Sequence, residues 1–386
     1  MQTNHSVFSL LNQHADLEVD EKQDQLPSCP VPEQPTSIED PNIFRAKKSG
    51  GGQIALLKTL LTTACERNCS YCPFRAGRDF RRASMKADEM AKTFSQINAA
   101  GIAEGLFLSS GIIGGGVRTQ DKLMDTAELL RHKYQFRGYL HLKAMPGLEK
   151  DQLERAMLLA DRVSINLEAP NPQRLSLLAP RKDYFAELIQ PLQWADAFRR
   201  AHSPNEGFNK RLPSLVTQLV VGAAGEKDTE ILNTSAYLYS RLRLSRIYYS
   251  PFSPVKDTPL ENLPAENPLR PLRLYQASFL LRNYHFSPHE FNYTKSGNLP
   301  LDIDPKKAWA QSHLLYQPVE LNKAEFNLLL RVPGIGPKAA RRIVEYRRSH
   351  SIKTLGDLKF IGVSPERAAP FVLLNGKTLL FQPSLW

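Results

Sequence analysis

Three of the chain's four cysteines, Cys65, Cys69 and Cys72, lie within eight residues of one another. Clustered thiols of this kind are typical of metal or redox chemistry and not of a disulfide framework. The spacing C-x3-C-x2-C makes a loop short enough to place three thiolates at three corners of a cubane iron–sulfur cluster. Electron-transfer clusters are held by four thiolates, so a cluster with three leaves one iron open to a bound molecule. The spacing therefore predicts a cluster that does chemistry at its fourth iron.

A structural zinc ion is the alternative ligand for these thiols. Closed zinc sites are tetrahedral and use four Cys or His ligands, and no histidine is near the three cysteines in the sequence. Cys29, isolated in a proline-rich stretch, is the remaining cysteine that can complete such a set. The cysteine pattern by itself leaves both interpretations open.

The elements that must position the cysteine loop alternate between strand and helix patterns from residue 54 onward. Apolar runs indicate strands at 54–61, 105–110, 139–144, 162–168, 215–221 and 246–250. Helical spacing indicates helices at about 85–99, 119–133, 149–160, 183–201, 228–243 and 271–283. Six βα units predict a parallel sheet in an α/β fold, a partial (β/α)6 TIM-like barrel. The cysteine loop follows the first strand, at the barrel end that carries the chemistry in such folds.

The cysteine spacing, with Tyr71 just before Cys72 and a strand before the loop, resembles the signature of the radical S-adenosylmethionine (SAM) superfamily. The resemblance implies a [4Fe-4S] cluster whose open iron binds the amino and carboxylate groups of SAM. An electron from the reduced cluster would cleave SAM to methionine and a 5′-deoxyadenosyl radical, which abstracts hydrogen from the substrate. An electron donor such as flavodoxin or ferredoxin is then an expected partner. The cofactor carries the chemistry, and the protein positions and shields it.

The fourth expected strand carries Ser164, Asn166 and Glu168 on one face and apolar residues on the other. One face of a barrel strand packs against helices while the other faces the lumen, where polar groups without partners are costly. In radical SAM enzymes this strand contacts the ribose and carboxylate of SAM, so the resemblance implies that these polar residues bind SAM. On the preceding strand, Lys143 either contacts the substrate or neutralises Glu168, and His141 is expected to be a core residue.

Other positions enter the SAM site through the same resemblance. Ser109, Ser110 and Gly111 stand where family members bind the SAM amino group, although the commoner Gly-Gly-Glu is absent and a tight βα turn would look the same. The glycine-containing segment after the fifth strand stands where adenine packs. The further SAM-binding candidates are Tyr71, Val221 and Gly222. The catalytic candidates are Lys143, Glu168 and Tyr249, of which the last can equally cap the core.

A second motif lies near the end of the chain, where the segment Pro333–Gly336 separates two stretches of helical pattern. Asn322 and Glu325 are expected to form a capping box for a helix over about 323–331. The glycines permit a tight backbone turn, and Pro337 suits the first position of a second helix. The pattern predicts a small all-α hairpin of helices.

This hairpin is similar to the helix-hairpin-helix motif. Backbone N–H groups at the hairpin and at the start of the second helix can bind an anion, with Lys338 and Arg341 flanking it. Such contacts hold a nucleic-acid backbone without reading its sequence. A weaker second copy over 355–373 lacks the second glycine. The alternative to a nucleic-acid site is a helical hairpin used for packing or protein docking. The DNA-binding candidates are Gly334, Ile335, Gly336, Lys338, Arg341 and Arg342.

Charge is spread unevenly along the 386 residues, whose net charge is +11. Residues 1–45 carry eight acidic against two basic side chains, whereas residues 305–386 carry thirteen basic against five acidic ones. The basic end favours a polyanionic partner.

Neither a signal peptide nor a membrane span is indicated, so we expect a cytoplasmic protein that can associate with the nucleoid. The expected divisions are a poorly ordered acidic, proline-rich leader at 1–50, a barrel at 51–285, a linker at 286–320, the hairpin module at 321–375 and a tail at 376–386.

The cysteine motif occurs together with FLSSG, HLKA, NLE and the hairpin in one chain. This combination resembles a family of DNA modification or repair radical SAM proteins, over about residues 54–374. The resemblance implies a radical reaction on DNA and a uracil-DNA-glycosylase-like protein partner. Two alternatives remain: a radical SAM enzyme that modifies RNA such as tRNA, and a non-enzymatic DNA-binding protein whose structural cluster is completed by Cys29.

Overall fold

The computed structural model of the protein describes residues 4–15, 43–47 and 53–378. Cys29, most of the acidic leader, the glycine-rich stretch 48–52 and the last eight residues of the expected tail lie outside the described residues. The chain divides into two compact units: Met1–Glu226 with Tyr237–Asn267, and Lys227–Ala236 with Pro268–Trp386. No helix among the described residues is both long enough and apolar enough to cross a membrane.

The first unit is built on a seven-stranded sheet in which the strands lie side by side in chain order. The strands are β1 (Ile43–Lys47), β2 (Gln53–Leu60), β3 (Gly105–Ser109), β4 (Tyr139–Lys143), β5 (Arg162–Ser164), β6 (Ser214–Val221) and β7 (Arg246–Pro251). Strands β2 to β7 are parallel, and β1 adds an antiparallel edge strand beside β2. The parallel sheet curls into a half barrel, which confirms the predicted α/β fold class.

The helices of this unit follow the strands as crossover connections. They are α2 (Ala87–Ala99), α3 (Gly116–Glu128) with a π-helical turn at Leu129–Lys133, α4 (Lys150–Leu159), α5 (Pro172–Leu178) and α6 (Gln190–Ala201) after a π-helical turn at Tyr184–Ile189. The last crossover helix, α7 (Asp228–Arg241), is divided between the units, since its residues up to Ala236 belong to the second. Within the expected leader, Asn4–Ala15 forms α1 and β1 is a strand, two elements that the sequence pattern did not indicate. The pattern also missed the short helix α5, because seven residues are too few for a clear helical period.

The fourth strand is shorter than the pattern predicted. Regular pairing in β5 ends at Ser164, because the Thr217 hydroxyl of β6 takes the place of a backbone group: it accepts from the Leu167 amide at 3.1 Å and donates to the Ile165 carbonyl at 2.6 Å. Beyond this break Glu168 adopts a positive φ of 63°, a left-handed conformation that is rare outside glycine. The break therefore sets the direction of the side chain of Glu168.

The barrel core includes His141, which is fully buried and stacked on Phe107 with ring centroids 4.1 Å apart. The two residues are neighbours in the register of β3 and β4, on the lumen face. Stacking of an imidazole on an aromatic ring fits the expected core role.

A buried ion pair closes the opposite end of the sheet, where α3 and β5 meet. Arg131 Nη2 lies 3.0 Å from Asp161 Oδ2, and both side chains are almost fully buried. Asp161 also accepts from the Leu140 amide at 2.9 Å and from the exposed Arg211 at 3.2 Å. Arg131 donates further to the carbonyls of Phe136, Gly138 and Leu159. This network ties the segments before β4, β5 and β6 together.

The second unit is mainly helical. Its helices are α8 (Leu269–Asn283), α9 (Pro305–His313), α10 (Phe326–Leu329), α11 (Pro337–Tyr346), α12 (Leu355–Ile361) and α13 (Pro365–Ala368). A small sheet of β8 (Val319–Glu320), β9 (Val372–Leu374) and β10 (Lys377–Thr378) accompanies them. The expected linker thus contains a regular helix, α9, begun by the side chain of Asp304, which accepts from the Lys307 amide.

The helix expected at about 323–331 is shorter in the structure, and its predicted capping box is wrong. Helix α10 begins after Glu325, whose side chain makes no cap. The side chain of Asn322 instead bonds both backbone groups of Ile352, donating at 2.9 Å and accepting at 2.9 Å. Tertiary pairing with a distant segment satisfies this amide better than a local cap does.

We predict unequal costs for removing the two arginines that contact Asp161. Arg131→Met should lower the free energy of unfolding by about 3–5 kcal/mol, because it leaves a buried carboxylate without its counter-charge. Arg211→Met removes an exposed contact to the same carboxylate and should cost less than about 1 kcal/mol. Urea denaturation of the two variants and the wild type measures both values. Equal costs would show that the buried pair is not what holds this end of the sheet.

Candidate active site and nucleic-acid interface

The cysteine loop (residues 61–76) leaves the carboxyl end of β2 and packs against the turn that follows β3. Backbone hydrogen bonds join the two: Gly111 N donates to Thr62 O and Glu66 N donates to Ile112 O, both at 2.7 Å. A side chain at Gly111 would overlap the Ala64 carbonyl far inside van der Waals contact. Glycine is therefore required at this position for the close approach of two backbones.

Arg82 holds the loop in shape. Its guanidinium donates to four backbone carbonyls, at distances from 2.9 to 3.2 Å. These carbonyls belong to Thr63, Phe74, Arg75 and Arg78. The rigid fork of donors on one arginine suits this task, since an irregular buried loop must find partners for its backbone outside itself. The pattern of residue types did not single out Arg82.

A cavity of about 370 Å³ opens at the carboxyl end of the sheet, and all three cysteines line it. This volume lies in the range of small-molecule sites. The sequence-predicted residues that it brings together with the cysteines are Tyr71, Ser110, Gly111, Lys143, Asn166 and Glu168. The predicted residues that do not line it are Ser109, Ser164, Val221, Gly222 and Tyr249.

Strand geometry explains why Tyr249 lies away from this cavity. Neighbouring residues of a strand point to opposite faces, and it is Ser250 that lines the cavity. Tyr249 is fully buried on the other face of β7. Gly222, with a φ of 98°, lies instead in a turn whose backbone N–H donates to the carboxylate of Glu226.

The cavity residues that the sequence analysis missed include Arg67, Lys182 and Gln218. Ser250 and Phe252, at the strand end expected either to face the substrate or to cap the core, also line the cavity. Lumen-facing alternation in β6 was the available signal for Gln218. No local signal was available for Lys182, because it lies in the connection between α5 and the π-helical turn before α6.

Lys182 forms the main ion pair of the site with Glu168. The Nζ and Oε1 atoms are 2.8 Å apart, and 9% and 4% of the two side chains are exposed. Burial alone would lower the pKa of Lys182, but the charges of Glu168 and Cys69 raise it above its ordinary value. The lysine is therefore an ammonium ion. Lys143, which the sequence offered either as a substrate contact or as a counter-charge of Glu168, lines the same cavity.

The buried thiols hold their protons in the absence of iron. Burial raises the pKa of Cys69, which Lys182 lowers in part, and burial raises the pKa of Cys72 well above its ordinary value. Burial and the charge of Glu168 likewise raise the pKa of Tyr71, so its phenol stays neutral. Iron must therefore displace the thiol protons, and the ammonium of Lys182 favours the resulting thiolates.

The donor set fits a three-thiolate cluster. All three cysteines are free, and the Ile112 amide lies 3.4 Å from Cys65 Sγ, as donors to cluster sulfurs do. Among the described residues, no three Cys, His, Asp or Glu side chains are grouped to hold a single metal ion. Oε2 of Glu168 is buried without a hydrogen-bond partner among the described residues, and a bound donor group can supply one.

The hairpin (Pro333–Gly336) joins α10 to α11 in the second unit. Gly334 has a φ of 81° and lies against the Ser364 carbonyl, so the hairpin packs on the weaker second copy that α12 and α13 form. Gly336 is extended and precedes Pro337, the first residue of α11. The first turn of a helix leaves backbone N–H groups without intrahelical acceptors, and here they follow the hairpin directly.

The predicted cationic side chains of α11 are all exposed. Lys338 and Arg341 lie one turn apart, next to the hairpin. Arg342 also reaches the Ile361 carbonyl, at 3.4 Å, so it links α11 to α12. Ile335 is buried, and its backbone N–H donates to the Val332 carbonyl at 3.1 Å, so this residue anchors the hairpin and does not contact a ligand. The arrangement can hold a phosphate between backbone N–H groups and two cations.

Two family models match the chain. Residues 59–236 match the Radical SAM superfamily, and residues 316–366 match the helix-hairpin-helix motif. The chain therefore contains a radical SAM domain and a helix-hairpin-helix motif. The family implies a [4Fe-4S] cluster and SAM as cofactors. No curated protein sequence matches the chain.

Several solved structures are similar to part of the chain at low sequence identity. Methylornithine synthase (PylB) is 13% identical, with a TM-score of 0.47 over 59% of this chain and 62% of its own. The FeFe-hydrogenase maturase HydG from Carboxydothermus hydrogenoformans is 14% identical, with a TM-score of 0.46 over 59% and 51%. The radical S-adenosylmethionine methyltransferase TsrM from Kitasatospora setae is 14% identical, with a TM-score of 0.39 over 53% and 38%. The chain thus spans 38–62% of the length of these three proteins.

We predict that the three loop cysteines are each needed for the cluster and that Cys29 is not. Single Ala variants of Cys65, Cys69 and Cys72 should bind little iron and sulfide after anaerobic reconstitution. Cys29→Ala is the matched control and should keep the wild-type iron and sulfide content per chain. Loss of the cluster in the control would instead favour a structural cluster with four thiolates.

We also predict strong coupling between Lys182 and Glu168. Lys182→Met should lower the free energy of unfolding of the cluster-free protein by about 3–5 kcal/mol, since it leaves a buried carboxylate unpaired. Combining it with Glu168→Gln should recover at least about 1 kcal/mol relative to the sum of the single changes. The exposed Arg181→Met serves as a control, with a change within about 0.5 kcal/mol. Additive costs in urea denaturation would contradict the pairing.

Proposed function

We propose that the protein is a radical SAM enzyme that acts on DNA, to repair a lesion or to modify a base or sugar. The proposal rests on one observation. A cavity lined by three cysteines and a basic helix-hairpin-helix motif occur in the same chain. A DNA substrate explains why a cofactor-dependent domain carries a phosphate-binding module. A flavodoxin or ferredoxin as electron donor and a uracil-DNA-glycosylase-like partner belong to the same proposal.

The cavity residues have distinct tasks in this proposal. Cys65, Cys69 and Cys72 would hold the cluster, since all three line the cavity. With SAM bound, the cluster supplies a 5′-deoxyadenosyl radical. Oε2 of Glu168 accepts a hydrogen bond from a donor group of SAM, since that oxygen is buried and without a partner among the described residues. Lys182 holds this carboxylate in place, because its ammonium is bonded to the other oxygen.

Other side chains orient and enclose the bound molecules. Asn166 Nδ2 donates to Gln218 Oε1 at 2.7 Å, so the two amides form a fixed polar edge in the lumen. Phe252 covers an apolar part of the wall and helps to keep water from a reactive species. Lys143 remains the candidate for contact with the substrate, since it lines the cavity from β4.

The hairpin binds the DNA backbone in this proposal. Backbone N–H groups at the start of α11 meet a phosphate, and Lys338 and Arg341 flank it. Such contacts position the duplex but do not select a sequence, so the barrel must recognise the target itself. Binding should weaken steeply with salt, because phosphate contacts release counterions.

We predict that duplex DNA accelerates SAM cleavage and that the hairpin is responsible. The reconstituted, reduced protein should form 5′-deoxyadenosine, measured by mass spectrometry, and added duplex should increase the rate. The double variant Lys338→Glu, Arg341→Glu should keep the DNA-independent rate and lose the increase. A charge-matched control, Lys92→Glu with Lys122→Glu on exposed sites of α2 and α3, should retain it.

Two results would overturn parts of this proposal. A fully loaded protein that never forms 5′-deoxyadenosine would leave a DNA-binding protein with a structural cluster. Competition with single strands and tRNA addresses the substrate, since a clear preference for tRNA would favour an RNA-modifying enzyme over one that acts on DNA.

A further inference from the structure

Helix α9, in the segment expected to be a linker, places Lys306 directly behind the hairpin. Its Nζ donates to the Ile335 carbonyl at 2.6 Å and lies 4.6 Å from the centre of the Tyr284 ring. Among the described residues, no carboxylate forms an ion pair with Lys306. A partly buried ammonium whose main partner is one backbone carbonyl is uncommon and calls for an explanation.

The geometry of a peptide unit gives that explanation. In a trans peptide the C=O of one residue and the N–H of the next point in opposite directions, and the described chain has no cis peptide bonds. The Ile335 carbonyl points at Lys306, so the Gly336 N–H points away from it. An N–H group in this orientation can donate to an anion that approaches the hairpin from the side opposite Lys306.

We propose that Lys306 is a positioning residue for the hairpin, whose ammonium holds the Ile335 carbonyl and thereby aims the Gly336 N–H at a nucleic-acid phosphate. The proposal rests on the phosphate-binding role given to the hairpin above. Gly336 has no side chain to restrain the rotation of this peptide unit, since an added Cβ would meet only the Tyr284 hydroxyl, at 3.3 Å. The restraint therefore has to come from the carbonyl side.

The charged groups around Lys306 are already committed to other partners. Asp304 accepts from the Lys307 amide through Oδ1 and faces Arg367 through Oδ2, at 3.7 Å. Arg331 pairs with Glu290 at 2.9 Å. Its guanidinium also donates to the carbonyls of Tyr284 and His285. No neighbouring acid is thus left to hold the lysine in another position.

This environment makes the charged hydrogen bond from Lys306 to the Ile335 carbonyl depend on pH. Burial lowers the pKa of Lys306 to about 7, and Arg367 and Arg331 act in the same direction while Asp304 opposes them. Tyr284, the remaining titratable neighbour, has a pKa raised by burial and stays neutral. A phosphate at the hairpin favours the ammonium and raises this pKa, so binding takes up a proton. Affinity is then fully present below about pH 7 and declines as the pH rises above it.

Hydrogen–deuterium exchange of the full-length protein tests the positioning role without DNA. Lys306→Met, close in shape but without charge, should speed exchange of the hairpin amides Gly334–Lys338. Lys306→Arg keeps the charge and should exchange like the wild type. Lys307→Met, the adjacent and exposed lysine on the same helix, is the matched control and should leave the hairpin unchanged. Unchanged exchange in Lys306→Met would overturn the proposal whether or not the protein binds DNA.

Duplex binding by fluorescence anisotropy tests the consequence. Between pH 6.5 and 8.5 the wild-type affinity should fall, and Lys306→Met should bind about tenfold more weakly at the acid end with a flatter profile. Lys306→Arg should bind tightly with little dependence on pH, which a purely structural role would not produce. A wild-type profile as flat as that of Lys306→Met would refute the proposal. Faster exchange in a protein that binds no duplex would keep the positioning role and refute the DNA function.

Discussion

The protein depends most on how an irregular loop satisfies its backbone at the buried carboxyl edge of a sheet. The cysteine loop has no helix or strand of its own, so its carbonyl and amide groups need partners from elsewhere. Arg82 supplies four donors, and the turn at Gly111 supplies backbone bonds across a gap too small for any side chain. The positions of all three cysteines, and of the cavity that they line, follow from this packing.

Both proposed sites use a buried ammonium ion in the same way. Lys182 holds the carboxylate of Glu168 in the cavity, and Lys306 holds the Ile335 carbonyl behind the hairpin. In each case the lysine bonds one atom and leaves a neighbouring group to a ligand. That group is Oε2 of Glu168 in the cavity and the N–H of Gly336 at the hairpin. The two environments give opposite shifts, because an acid raises the pKa of Lys182, whereas burial and arginines lower that of Lys306.

Much of the fold was predictable from the sequence because it repeats. Strands β2, β3, β4, β6 and β7 and most of the crossover helices match the predicted ranges to within a few residues, since period and length are local properties. The misses have tertiary causes. The fourth strand ends early because the Thr217 hydroxyl replaces a ladder partner, and Asn322 bonds Ile352 instead of capping a helix. Helix α9 was missed because its neighbourhood is rich in Pro, Asn and Ser.

The sequence by itself determined the three cysteines, the glycine-bearing hairpin and the strand–helix alternation. That alternation places the cysteine loop at the carboxyl ends of the strands of a half barrel. These features depend on residue type and short spacing. The tertiary structure alone decided which polar residues meet: it brought Lys182 to Glu168, turned Tyr249 away from the cavity and placed Lys306 behind the hairpin. The physical reason is that a charge or hydrogen-bond donor is defined by its partner and its burial, and these partners lie far apart in the chain.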